Sequence, residues 1–140
     1  MMNTISKKTK VLEGCHPDQI PNEVYTSTEP VILKGLVKEW PLAKAGLEST
    51  ESAIDLLKSH YSGKPASVYF AEPGTHRFAY NQDLTKLNFE TRKADINQVL
   101  DEILTHIHDE NPPLRYIASN VIEIFFPTLK LVGKSLQIKS

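Results

Sequence analysis

The stretch Glu29-Pro30-Val31-Ile32-Leu33-Lys34-Gly35-Leu36-Val37-Lys38-Glu39-Trp40-Pro41 sets the character of the chain. Val31, Ile32 and Leu33 sit between a proline and a glycine. That pattern reads as a strand entered through Pro30 and left through Gly35. Trp40-Pro41 then forces an extended dipeptide, because a proline ring disfavours the helical conformation in the residue before it.

Downstream, Ser49 or Thr50 can cap a helix over about Glu51 to Tyr61. Its apolar stripe is Ala53, Leu56, Leu57 and Tyr61, the spacing that one buried helix face requires. Gly63-Lys64-Pro65 ends it. Ser67 to Ala71 and His76 to Tyr80 read as two short strands around a Pro73-Gly74 turn. Asp95, with Gln98 three residues on, is a capping-box pattern. It opens a second helix with the stripe Ile96, Val99, Leu100, Ile103, Leu104 and Ile107, which Asn111-Pro112-Pro113 stops. Leu114 to Ser119 follows as a strand. Strands and two helices that do not alternate regularly place the chain in the α+β class. No repeat or linker divides it. Residues 1–20 read as an N-terminal extension and 21–140 as one domain.

Composition narrows the function. The chain has 140 residues, 16 Lys+Arg against 17 Asp+Glu, and a formal net charge of −1. A chain of this length buries roughly two thirds of its unfolded surface, enough for a core without staples. There is no basic surplus to neutralise a phosphate backbone, so no nucleic-acid partner is expected. One cysteine, Cys15, cannot close an internal disulfide and reads as a lone surface thiol. The N-terminus has positive charge without an apolar run behind it, and no stretch approaches the ~20 apolar residues of a membrane span. A cytoplasmic protein with no membrane partner is expected.

Five histidines are the first candidates for a metal or a base. His16-Pro17-Asp18 has the His-x-Asp spacing that puts two ligands on one face of a strand, but its proline argues against a central strand. A metal-binding protein using His16 and Asp18 is the least favoured reading. His108-Asp109-Glu110 closes no triad. His106 and His108 flank the second helix's stripe on opposite sides, and cationic residues suit a helix C-terminus in any case. Asp101-Glu102 and Asp109-Glu110 read as solvated surface. No phosphate-binding glycine loop and no nucleophile elbow occurs. The chain is therefore expected to carry no catalytic set and no metal site of its own.

The order of several short segments carries a further signal. Glu29 to Pro41 resembles the "rPvvlrGlv..WPa" opening of the cupin-like JmjC-type hydroxylases. Ser67-Val68-Tyr69-Phe70 follows in the expected place. Arg77 to Leu84 with Asn88-Phe89 resembles the family's "rf.Yn.dl...NF", and Leu114 to Ser119 resembles its "yYlqs" strand. The resemblance covers about Pro21 to Pro127. It implies an Fe(II)- and 2-oxoglutarate-dependent oxygenase built on a double-stranded β-helix, the jelly-roll barrel.

In that family the His-x-Asp pair lies beyond the segment resembling Leu114 to Pro127, and the distal histidine lies further still. The resemblance thus implies the N-terminal part of such a domain with the barrel incomplete, and neither cofactor is expected to bind this chain alone. Tyr116 matches the tyrosine that contacts the 2-oxoglutarate carboxylate. Tyr80 and Asn81 match the segment that approaches the substrate, which would be a protein side chain or a small molecule. Trp40, Pro41 and Phe89 read as packing residues. The alternative is a non-catalytic binding or dimerisation module derived from the family. With the barrel incomplete, self-association is expected, because Phe125, Phe126, Leu129 and Leu131 lie near the end with no folded cover after them.

Overall fold

The computed structural model describes residues 7–129. Lys130 to Ser140, including Leu131, lie outside the described residues.

The first element among the described residues is β1 (Lys10–Leu12), which pairs in parallel with β2 (Val31–Leu33), so the segment before residue 21 contributes a strand. The ladder continues beyond both strands, through Lys34 N to Leu12 O at 2.9 Å and Cys15 N to Lys34 O at 3.0 Å. A short helix, α1 (Asn22–Thr26), lies in the crossover between the two strands. Gly35 leaves β2 at φ +83°, the left-handed conformation for which glycine has no steric penalty. Cys15 is buried at 6% exposure and its thiol donates to Leu12 O, so it is no surface thiol. The turn from residue 13 to 16 tucks it under β2, where a small apolar side chain fits well.

Two helices come next, α2 (Pro41–Glu48) and α3 (Thr50–His60). Trp40 is extended, as the proline after it dictates, and Pro41 occupies the first helical turn, where its missing N–H costs nothing. No helix was expected there. The Ser49 side chain accepts from Ser52 N at 2.9 Å and so caps α3. Ile54 is the residue that α3 buries most deeply, at 6% exposure, and it was absent from the expected stripe. Leu57 and Tyr61 pack beside it.

The main sheet is three-stranded and antiparallel, in the order β4-β3-β5: β3 (Ala66–Ala71) is central, with β4 (Glu90–Ala94) and β5 (Leu114–Ile117) at the edges. Side chains alternate between its faces, so Ala66, Val68 and Phe70 share one face while Ser67, Tyr69 and Ala71 share the other. His76 to Tyr80 is not a strand. It belongs to a long loop whose one ladder contact is an isolated bridge from Tyr80 to Leu87.

Against the Ala66–Val68 face lies α4 (Ile96–Thr105), capped by the Asp95 side chain, which accepts from Gln98 N at 3.1 Å. Ile96, Val99 and Leu100 are buried, and Ile54, Ala66, Ile96 and Leu100 form the core cluster. Leu104 packs against that cluster, but Ile103 and Ile107 are 37% and 38% exposed. The stripe outruns the core because the helix ends at Thr105 and His106 is its C-cap, so only the first two turns cross the sheet. His106 and His108 therefore do not share a helix. His106 Nδ1 instead meets Asp109 Oδ2 at 2.6 Å.

Tyr61 ties the two long helices together. Its hydroxyl donates to Lys64 O at 2.7 Å and accepts from Ile96 N at 3.1 Å. Another short helix, α5 (Ile122–Phe125), is held to the end of α3 by two bonds from Ser62, N to Phe125 O at 2.8 Å and Oγ to Ile124 O at 2.9 Å. The described elements are mixed helices and strands, and neither sheet closes into a barrel.

Candidate functional site

The second face of the main sheet carries the residues that the sequence singled out. Tyr69 on β3 and Tyr116 on β5 are cross-strand partners, with ring centroids 5.7 Å apart. The loop between β3 and β4 folds over them. Phe89 stacks on Tyr69 at 4.7 Å and 22°, and Phe78 meets Phe89 edge-on at 5.1 Å. Phe78 also approaches Tyr116 at 5.7 Å. Offset and edge-to-face rings at these distances add to the stabilisation from burial. Four aromatic side chains thus form one wall.

Tyr116 is the open end of that wall. It is 48% exposed, and its hydroxyl makes no hydrogen bond to a described residue. Its ring is fixed by Tyr69 and Phe78, so the phenol is a positioned donor with its apolar body already packed.

The loop is built with polar side chains. Asn88 Oδ1 accepts from Ala79 N at 2.9 Å and its Nδ2 donates to Arg77 O at 2.9 Å. Asn81 Oδ1 accepts from Thr85 N and Lys86 N at 3.1 and 3.2 Å. These bonds hold Leu84 at φ +59°, a conformation that costs a residue with a Cβ about 1 kcal/mol or more. Thr85 also hydrogen-bonds the Asp83 carboxylate, holding its pKa below the usual range. The Asn81 side chain is thereby committed to the turn. Tyr80 is 61% exposed beside it. Phe78, two residues before Tyr80, carries this loop onto the Tyr116 wall.

The opposite face holds a group with no local signature in the sequence. Phe70 lies under two guanidinium groups, Arg92 at 3.8 Å and Arg115 at 4.8 Å from the ring centroid. Arg115 uses four of its five N–H donors. Its Nη2 and Nε donate to the two carboxylate oxygens of Glu102 at 2.6 and 2.8 Å, and its Nη1 donates to Ala71 O and Leu114 O. Glu102 is therefore not a solvated helix residue, and this pairing holds its carboxyl below the usual glutamate value. The strand register that aligns Phe70 with Arg115 brings the group together, and no local pattern signals it.

The histidine and acid pairs do not converge. His16 Nδ1 stands 3.7 Å from Asp18 Oδ2 and also accepts from Asp18 N at 3.2 Å, which makes the pair a tight turn with no strand face. Among the described residues, no group of three or more His, Cys, Asp or Glu side chains could hold a metal ion. The described residues thus do not fit an iron centre. None of the described helices is long and apolar enough to cross a membrane.

Comparison with known proteins adds one finding. The family model described as a cupin-like domain matches residues 17–138. No curated protein and no solved structure matches the chain.

Proposed function

Because the chain belongs to the cupin-like domain family, we propose that it supplies the co-substrate-facing part of an Fe(II)- and 2-oxoglutarate-dependent hydroxylase. In this reading Tyr116 donates its phenolic proton to a 2-oxoglutarate carboxylate, and the loop carrying Tyr80 and Asn81 borders the substrate. The main sheet is then one wall of a jelly-roll barrel. The observation that carries the reading is Tyr116 itself. It is a phenol with no other partner among the described residues, clamped between Tyr69 and Phe78 on the motif strand that the family uses for this contact.

The parts played by these residues are binding and desolvation. Tyr69, Phe78 and Phe89 present a low-dielectric wall, beside which a charge-assisted hydrogen bond from Tyr116 is stronger than in open water. Asn81 keeps the loop in shape, so Tyr80 projects from a fixed position. No oxidation step is assigned to these residues, since they do not fit a metal centre. Hydroxylation of an asparaginyl side chain, the chemistry of the hydroxylase that inhibits hypoxia-inducible factor, is one form of this reading. The segments of that enzyme run in a similar order.

The test is titration of the chain with 2-oxoglutarate, observed at the tyrosine ring resonances. The described residues supply no metal site to share the co-substrate, so only the weak contact of one phenol is expected: shifts at Tyr116 that saturate at millimolar concentrations and disappear in Tyr116→Phe. Shifts that survive in Tyr116→Phe, or none at millimolar co-substrate, would exclude this role.

A second reading, a non-catalytic binding or dimerisation module, is favoured by one observation. Both outer edges of the main sheet, β4 and β5, are unpaired among the described residues. Unpaired edges recruit other chains.

A further inference from the structure

The two guanidinium groups over Phe70 are chemically unequal. Arg115 spends four of its five donors on Glu102 and two backbone carbonyls, and its charge is paired where it stands. Arg92 has neither a hydrogen bond nor an ion pair among the described residues, although its guanidinium carbon lies 3.8 Å from the Phe70 centroid. Stacking occupies the face of a guanidinium and leaves its in-plane N–H fork free for a planar anion. A cation held in one place with unused donors is a receptor.

The space in front of it has the size of a small-molecule site. A cleft of about 450 Å³ opens between β4 and α4, with Pro65, Phe70 and Val99 as apolar walls and Arg92 and Gln98 as polar ones. Small-molecule sites commonly fall within ~300–1,000 Å³ and combine apolar walls with a few polar groups. Two acids, Asp95 and Glu102, also line it. Asp95 caps α4 and Glu102 is paired with Arg115; Glu102 lies within electrostatic reach of Arg92, but neither acid takes a hydrogen bond from it. Lys93 also lines the cleft, so two cations face two acids, a balance that favours a ligand with one negative charge over one with several.

We propose that this cleft binds a small molecule bearing a single carboxylate on an apolar, preferably planar, body, with Arg92 as the anion receptor. The carboxylate accepts from the Arg92 fork, and the body lies along Pro65 and Phe70. The site is on the face of the sheet opposite Tyr116, because Phe70 and Tyr69 are adjacent on β3 and point to opposite sides. It is therefore independent of the co-substrate role proposed for Tyr116.

The experiment is amide chemical-shift titration of the full chain with three probes: benzoate, its uncharged analogue benzamide, and inorganic phosphate. Saturable benzoate shifts at Arg92, Gln98 and Val99 are expected, with benzamide and phosphate at least about tenfold weaker, the scale of one charge-assisted contact. Arg92→Gln should lose the benzoate site by a similar factor. Arg92→Lys keeps the charge without the fork and should weaken it several-fold. Tyr116→Phe should leave it unchanged. Linear, non-saturating shifts, equal binding by Arg92→Gln, or phosphate binding as tightly as benzoate would overturn the proposal.

Discussion

Arg115 on β5 and Glu102 on α4 form a two-pronged ion pair, Nη2 to Oε1 at 2.6 Å and Nε to Oε2 at 2.8 Å. The pair joins the sheet to its covering helix, and the Arg115 side chain is only 13% exposed. A fork-on-carboxylate contact fixes direction as well as distance, so it orients α4 across β5. It also removes Arg115 from competition for anions and leaves Arg92 as the available cation over Phe70.

Removing either partner should cost more than a surface pair would. Arg115→Ala leaves the Glu102 carboxylate and the carbonyls of Ala71 and Leu114 without their donor, and should destabilise the fold by about 1–3 kcal/mol. The effect of pH follows from the depressed Glu102 pKa. Its folded value lies below the ordinary 4.5, so the stabilisation is complete above about that pH and is lost as pH falls through the lower folded value. Denaturant midpoints measured from about pH 6 to about pH 3 should fall more steeply in the native chain than in Glu102→Gln. Parallel curves would mean that the pair contributes nothing to stability.

The boundary of the core along α4 can be tested residue by residue. Leu100 is 9% exposed and belongs to the core cluster, whereas Ile103, one turn on, is 37% exposed. Leu100→Ala should cost about 2–5 kcal/mol, while Ile103→Ala should cost under about 1 kcal/mol. Equal losses in urea unfolding would place Ile103 under cover that the described residues do not supply.

Tyr61→Phe isolates a single hydroxyl. That group satisfies the first backbone N–H of α4, on Ile96, which is 1% exposed. The substitution keeps the ring against Phe126 and leaves a buried donor unpaired, a loss of about 1–3 kcal/mol. Hydrogen exchange at the Ile96 amide should accelerate in the variant. Unchanged exchange would mean that water replaces the hydroxyl without cost.

Local signals were the legible ones. Ser49 and Asp95 stand where their capping bonds form, because a cap depends on residues two or three positions away. The glycine exit at Gly35 and the extended Trp40 were equally local. Other elements depended on distant partners. The sequence Glu-Thr-Arg-Lys-Ala of β4 has no apolar alternation, since it is an edge strand half-covered only by β3. The aromatic alternation of His76 to Tyr80 imitates a strand, but Phe78 satisfies it by packing on Tyr69 and Phe89. The wall around Tyr116 could be anticipated only through the motif strand. The Arg92–Phe70–Arg115 stack needed the register of all three strands.

The contrast between the two sheet edges leads to the last expectation. β4 presents Glu90, Arg92 and Lys93, and charged side chains of this kind discourage pairing with another chain. β5 presents Leu114, Tyr116 and Ile117, and its one charged residue, Arg115, is drawn onto Glu102. Next to it, Val121, Ile122 and Ile124 are 54%, 55% and 44% exposed. The β5 edge is thus the side on which a second copy would add, extending the sheet while covering apolar surface. Sedimentation velocity across a concentration series should show a reversible dimer. Tyr116→Lys, which puts a charge on this edge, should return the chain to monomer without unfolding it. A chain that stays monomeric at every concentration, or a dimer that survives Tyr116→Lys, would rule out assembly through β5.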